Sequence, residues 1–473
     1  MAILRILFLA LLAAIVGFLR KGRVPALLAV SALAVYWLQP ANDNFSVMFW
    51  LPTGTLVLAA ASWALTAPPE ARTFRRNLPG FAILAGASLT VALNRTFKFS
   101  LFFATMTPRF QVVAAAWLVL LAGLVVLAFL LRRGRGQTAL LVLAVIGMIA
   151  LLVLVKSPTL TGILYTLVKS LRGEGADSVP FSIQWLGFSY VAFRLLHTFF
   201  DRLSGRLPAV NLDEYVTYII FFPAFTAGPI DRIERFLRDL RDPQPVRAED
   251  WLAAGRRFFT GLFKKFVLAD ALALISINAF APFIRTAGWA WLVLYAYAFR
   301  LLFDFSGYTD IAIGMGRLAG IRLPENFASP YLKPNLTQFW NSWHMSLTHW
   351  FRAYFFNPLV RTFRSARKPI PAFVIVAIAQ FGTMILIGLW HGISWNYVLW
   401  GVWHAAGLFL HNRWSEWTRA RAASWTATPV RKAFFNVTGI LVTFHYVALG
   451  WVFFALTTPD QSWAFFLKLF GLS

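Results

Sequence analysis

The chain reads as a succession of long apolar runs separated by short polar stretches. Runs lie near 2–19, 24–38, 45–66, 79–93, 110–131, 139–155 and 185–200. Others follow at 254–281, 288–305, 373–389, 395–411 and 434–456, with a short apolar tail at 463–472. Most approach or exceed the roughly 18–20 residues that span a bilayer as an α-helix. The pattern predicts an all-α, polytopic integral membrane protein. It has about eleven to thirteen membrane segments plus re-entrant segments.

Two stretches break the pattern. In 213–240 the apolar part is short and is interrupted by Pro223, Gly228 and Pro229. Such backbone is tolerated at membrane depth only where protein or a cavity covers it, so a re-entrant or surface segment is expected. A charged amphipathic helix over 231–241 should follow, lying at the cytoplasmic face with its charges solvated. Residues 304–359 hold Asp304, Asp310, His344 and His349 among Gly, Pro, Asn and Trp, with no apolar window of membrane length. The expectation there is a broken, partly re-entrant segment lining an internal cavity. Residues 156–184 read as a long mixed loop.

Composition agrees. The 473 residues are 59% hydrophobic, with mean hydropathy +0.64. A soluble domain is not this apolar. No long polar stretch is present to build a second domain, so 1–473 reads as a single membrane-embedded unit. The net charge of +25 would point to nucleic acid in a soluble chain. Here the basic residues cluster in short loops, at 20–23, 72–76, 132–135, 361–368 and 413–432. They read as topology signals that put those loops in the cytoplasm and the N-terminus outside, and they suit anionic lipid headgroups. The first run reads as a retained membrane helix, because no small-x-small cleavage site precedes its basic flank. There is no cysteine, which excludes disulfides, thiolate metal sites and an acyl-cysteine intermediate.

Chemistry concentrates in QFGTMILIGLWHGISWNYVLWGVWHA, starting at Gln380. An apolar run stops at His391-Gly392 and another starts near Trp395, with Ser394 placed as an N-cap. A histidine thus sits where two membrane-length helices meet. An imidazole at that depth is costly unless a neighbouring helix or water satisfies it, so it is either a structural hydrogen-bonder or a functional group. A neutral histidine is the usual general base near physiological pH. Trp390, Trp395, Tyr397, Trp400 and Trp403 crowd it, as packing or as walls of a dry tunnel. Metal ligation is not expected: His344 and His349 are five apart and His391 and His404 thirteen apart, which splits each pair across a helix. In the 185–200 run, Arg194 and His197 share a face, either inside the bundle or snorkelling at a helix end.

Six blocks in order resemble one family. They are FFPAFTAGPIDR (221–232), GLFKKFVLAD (261–270), DFSGYTDIAIG (304–314), LPENFASPY (323–331), FWNSWHMSLTHWFR (339–352) and LWHGISWNYVLWGVWHA (389–405). The family is the membrane-bound O-acyltransferases, in the bacterial branch of the alginate O-acetylation protein and the D-alanyl transfer protein of teichoic acid synthesis. Similarity runs from about Gly187 to His404, which marks 181–411 as the core. Residues 1–180 would be variable N-terminal helices and 412–473 C-terminal ones. GPIDR and WHMS look like the D-alanyl group; DFSGYTDIAIG and GLWHGISWNYVLWG look like the acetylation group. Two departures touch the donor or partner surface: Arg352-Ala353 where the acetylation pattern has Arg-Asp, and Asn357-Pro358-Leu359 where it has an Ile-Pro-Leu-like end.

The resemblance implies a ring of helices around a thin centre, where a cytoplasmic tunnel and an outer funnel meet. It implies that His391 is catalytic and that His344 is the second key histidine, near the donor tunnel. Asp304, Asp310, Asn341, Trp343, Trp390 and Asn396 are secondary substrate or tunnel candidates, and structural roles suit them equally. No tightly bound cofactor or metal is implied. The donor would be acetyl-CoA or a phosphopantetheine-bearing acyl carrier protein. Further partners would be membrane lipid, a periplasmic relay or esterase-like protein and an exported polysaccharide. The expected reaction moves a small acyl group, acetyl first, from a cytoplasmic thioester to a hydroxyl outside a bacterial inner membrane. D-alanyl transfer is the alternative. A transporter is the alternative of another class, since broken helices with polar residues at depth also serve transport.

Overall fold

A computed structural model describes residues 2–19, 21–40, 47–97, 107–131, 136–171, 183–242, 247–281, 284–425 and 427–472. These residues form helices and loops, with one isolated bridge pairing Phe327 and Trp343. Among the described residues, six helices are long and apolar enough to cross a membrane: Phe49–Thr66, Phe74–Phe97, Phe110–Leu131, Gln137–Lys156, Ala372–His391 and Pro429–Ala455. Two shorter apolar helices, Ile3–Phe18 and Arg23–Leu38, precede them. The basic loop 132–135 lies outside the described residues, as do Arg20 and Lys98.

The chain divides into two compact units, one of residues 1–258 and 312–323, the other of 259–311 and 324–473. In the first unit, Phe110–Leu131 and Gln137–Lys156 expose most of their apolar side chains, as a hydrocarbon solvent allows. The buried centre lies on Phe188–Leu203 and the segments after it, with Phe188, Tyr215, Tyr218, Phe221, Phe225 and Phe236 all shielded.

The interrupted stretch is short helix Leu212–Ile220, a turn at Phe222–Ala224, then helix Ile233–Arg241. Its broken backbone is satisfied from within. Arg194, buried, donates to the carbonyls of Tyr218 (3.0 Å), Ile219 (2.8 Å) and Ala224 (2.9 Å). Of the two readings of Arg194, the interior one holds, because a guanidinium carries enough N–H groups to replace a lost helical ladder. His197 is buried as well, 2.9 Å from Asp201.

Four expectations change. The charges near 231–241 are not simply a solvated face. Asp231 is buried and accepts from Arg235 at 2.8 Å; Asp239 is buried and accepts from Arg322 at 2.9 Å. Stretch 156–184 is not all loop, since Pro158–Leu171 is an amphipathic helix. The polar segment does not break at Asp304: helix Ala287–Leu318 runs through Asp304 and Asp310 unbroken. Likewise Trp395–Trp425 continues through most of the expected basic loop.

Candidate active site

In the second unit, helices Ala372–His391 and Trp395–Trp425 form a tight hairpin. Glycine sets the approach. A Cβ at Gly388 would overlap the Tyr397 carbonyl, and one at Gly401 would stand 2.7 Å from the Met384 carbonyl. The first helix ends at His391, as the apolar run predicts. The Ser394 carbonyl accepts from Val398 N–H at 3.3 Å, so Ser394 opens the second helix through its backbone. His391 is half-buried. Its ring lies 4.8 Å from Phe454, 5.7 Å from Trp400 and 4.6 Å from Trp390, centre to centre.

His344 is buried and stands at the start of helix Met345–Phe351, with φ 43° and ψ 53°. A non-glycine residue in this left-handed region carries strain of about 1–3 kcal/mol and persists only where its surroundings over-determine it. Asn326 does that. Its carbonyl accepts from Met345 N–H at 3.0 Å and its Oδ1 from Ser346 N–H at 3.1 Å. The Phe327–Trp343 bridge holds the other side of the turn. The imidazole packs edge-on against Phe305 at 4.6 Å and lies 6.1 Å from Trp390.

A cavity of about 180 Å³ lies against the first helix of the hairpin, lined among others by Trp340, Asn341, Arg352, Gln380, Thr383 and Ile387 and by neither histidine. Gln380, Thr383, Met384 and Ile387 line it at helical spacing, and His391 continues that face one turn on. Arg352 donates to Asn341 Oδ1 at 2.6 Å. Trp340 Nε1 and Gln380 Oε1 are shielded from solvent without a hydrogen-bond partner among the described residues.

The remaining sequence candidates separate. Asp310 accepts from Lys264 at 2.7 Å, and Asp304 pairs with Lys265. Gly261 and Gly307 permit this, since a Cβ on Gly261 would come within 2.6 Å of the Gly307 carbonyl. Trp343 is core, sandwiched among Tyr331, Phe339 and Trp451. Asn396 donates to the Leu456 carbonyl at 2.6 Å and to Ser462 at 3.1 Å, tying the hairpin to the C-terminal helices. Only Asn341 of the secondary set lines the cavity, while Trp390 touches both histidines.

Sequence reasoning did not single out Arg352 or Gln380 as site residues; the i, i+4, i+7 spacing from Gln380 back from His391 was the available signal. Nor did it weigh His404 by itself. That ring is fully buried between Trp340 and Trp400, at 5.0 Å from each, and neither nitrogen has a partner among the described residues. In the first unit, ligand atoms of His197, Asp201 and Glu234 lie within 4.8 Å of one another. There Arg206 also holds Asp201, at 2.9 Å, so its carboxylate is already shared between Arg206 and His197.

Residues 184–449 match the model of the membrane-bound O-acyltransferase family. The chain is 36% identical over 294 residues to a probable alginate O-acetylase of Azotobacter vinelandii, covering 60% of this chain and 54% of that protein. It is 31% identical over 288 residues to a teichoic acid D-alanyltransferase of Streptococcus thermophilus, covering 58% and 68%. A peptidoglycan O-acetyltransferase of Helicobacter pylori is 32% identical over 275 residues, covering 55% and 47%. The match thus spans about half the length of the alginate O-acetylases. A family match over more than half of the chain, a helical membrane fold and a histidine at the turn of a glycine-packed hairpin have one reading: the chain is a multi-pass membrane protein and belongs to the membrane-bound O-acyltransferase family.

Proposed function

We propose that this chain transfers a small acyl group, most simply acetyl, from a cytoplasmic thioester to a hydroxyl of an exported polysaccharide or of a relay protein that serves it. The observation that carries the reading is the single helix face shared by the cavity wall and His391. A thioester arm lying along Gln380, Thr383 and Ile387 would bring its carbonyl toward the imidazole one turn further on.

His391 acts as the general base. Its neutral nitrogen takes the proton of the acceptor hydroxyl as the oxygen attacks the thioester carbonyl. The C–S bond breaks, and the imidazolium returns the proton to the departing thiolate. The products are an ester and a free thiol. The C-terminal end of helix Ala372–His391 favours the transient positive charge. A positioned base contributes roughly 10²–10⁴-fold, and exclusion of water by the aromatic wall supports the rest. His344 orients the donor through the wall it shares with Trp390. Acetyl-CoA or a phosphopantetheine-bearing carrier protein supplies the acyl group. The setting is a bacterial inner membrane, with the N-terminus outside.

D-alanyl transfer to an envelope polymer is the second reading. It is favoured by GPIDR and WHMS and by the wider coverage of the teichoic acid D-alanyltransferase. One experiment serves both. His391→Ala and His391→Gln, matched for expression, are scored for acyl groups on envelope polysaccharides. Loss in both variants supports the assignment, and the missing group, acetyl or D-alanyl, names the donor. Unchanged acylation in both variants would remove His391 from the reaction.

A further inference from the structure

The first unit holds a second cavity, of about 320 Å³, remote in sequence from the histidines. Its walls are apolar, built from Phe74 and Phe81 on one helix and Leu124, Val125, Ala128 and Phe129 on another. One end is polar. Asn77 and Trp63 lie there, but both are spent on backbone: Asn77 donates to the Ala71 carbonyl at 2.7 Å and Trp63 to the Val210 carbonyl at 2.9 Å. Arg72 is different. Its Nε and Nη2 are shielded from solvent and have no hydrogen-bond partner among the described residues. Burial pushes this guanidinium below its ordinary value, the charge of Arg202 pushes the same way, and Glu70 offsets part of it. Glu70 stands in electrostatic range without forming an ion pair with Arg72. The guanidinium is half-buried, stands beside a second cation and forms no ion pair among the described residues, so the part of it that lines the groove is free to meet an anion.

The exposed part of the wall decides what kind of anion. Val125 and Phe129 are 52% and 61% exposed, so the groove wall is continuous with the outer apolar face of helix Phe110–Leu131. In a membrane-spanning chain that face meets hydrocarbon. A guest with one anionic end and one long apolar end fits both halves of the groove.

We propose that this groove is a binding site for an anionic phospholipid, with its phosphate on Arg72 and one acyl chain along Leu124, Ala128 and Phe129. Arg72 brings a positive charge and guanidinium N–H donors to the groove wall, which suit phosphate oxygens. The site is separate from the acyl-transfer reading and does not depend on it.

The test measures lipid retained on the full-length protein after reconstitution in mixed phosphatidylglycerol and phosphatidylcholine of identical chains. The wild type should retain phosphatidylglycerol over phosphatidylcholine by about fivefold or more. Arg72→Gln should bring that ratio close to one, and Ala128→Trp, which fills the groove, should lower retention of both lipids. Arg75→Gln, in the same basic stretch but outside the lining, should leave the ratio unchanged. Each variant is checked for a wild-type melting temperature, so a folding defect is seen directly; Arg72→Lys, which keeps the charge on a slimmer head, should retain part of the preference if the loss is one of charge. The proposal is overturned if Arg72→Gln keeps the preference. It is equally overturned if Arg75→Gln abolishes it, which would mean a diffuse basic surface. Displacement of the lipid by millimolar inorganic phosphate would also overturn it, since the acyl chain would then contribute nothing.

Discussion

His344 and His391 pack against one indole: the Trp390 ring centre lies 6.1 Å from the first and 4.6 Å from the second. The two histidines come from different segments, one at a strained turn and the other at a helix end. Trp390 is the part they share, so displacement of either segment reaches the other through one rigid ring.

The strain at His344 separates its chemistry from its backbone. Glycine occupies the left-handed region without the Cβ penalty, which is about 1–2 kcal/mol. His344→Gly should therefore be more stable than His344→Ala by about 1 kcal/mol, even though both lose the ring. If His344 orients the donor, both variants lose acyl transfer alike. Thermal melting in detergent beside an acylation assay checks this. Equal stability of the two variants would mean that Asn326 imposes no strain on the turn.

The two Lys–Asp pairs differ in burial, and so should their worth. The Asp310 side chain is 9% exposed and that of Asp304 is 49%. Lys264→Met removes the ion-pair partner of a buried carboxylate and should destabilise by about 3 kcal/mol. Lys265→Met removes the partner of a half-exposed one and should cost about 1 kcal/mol or less. Paired melting curves decide; Lys265→Met costing the more would reverse the ranking.

Gly388 is the point where the hairpin closes. Gly388→Ala sets a methyl against the Tyr397 carbonyl, so the helices must separate and carry His391 away from Trp400 and Phe454. Small displacements at a reacting centre cost about 10²-fold in rate, and a comparable loss of acylation is expected. Gly147→Ala is the control. Nothing lies within 4 Å of a Cβ there, and the change should stabilise by about 0.5–1 kcal/mol. A fully active Gly388→Ala protein would show that the hairpin packing does not position His391.

Glu214 gives a pH signature outside the spans. Burial pushes its carboxyl up, but hydrogen bonds from Arg241 and the Asn211 N–H outweigh that and hold it below its ordinary value of 4.5. A carboxyl depressed in the folded state stabilises above its unfolded pKa, and loses that contribution as pH falls through the folded one. Glu214→Gln should thus melt below the wild type at pH 7, and the gap should narrow below about pH 4.5. A gap independent of pH would assign the loss to the capping geometry alone.

Much of this architecture was legible in the residues. The apolar runs at 110–131 and 139–155 became helices Phe110–Leu131 and Gln137–Lys156 with hardly a shifted end, and the break at His391-Gly392 fell where the run stopped. Membrane helices are legible in this way because the hydrocarbon constrains each one locally, by length and by a satisfied backbone. The six ordered blocks carried the family for a related reason: their spacing survives without any knowledge of contacts.

What the order of residues could not settle was how polar groups at depth find partners. The stretch through Asp304 and Asp310 read as broken, yet the helix continues, because Lys264 and Lys265 on a neighbouring segment neutralise both carboxylates. Asp231 and Asp239 read as solvated, yet arginines hold them inside. The left-handed turn at His344 depends on Asn326, eighteen positions earlier, and the indole between the two histidines is placed by the hairpin rather than by the tripeptide around it. Hydropathy and helix length belong to single segments, so the chain alone determined where its helices lie and where one of them ends on a histidine. Charge compensation and side-chain juxtaposition are pairwise and non-local, so only the tertiary structure decided which polar residues pair with one another and which line a cavity.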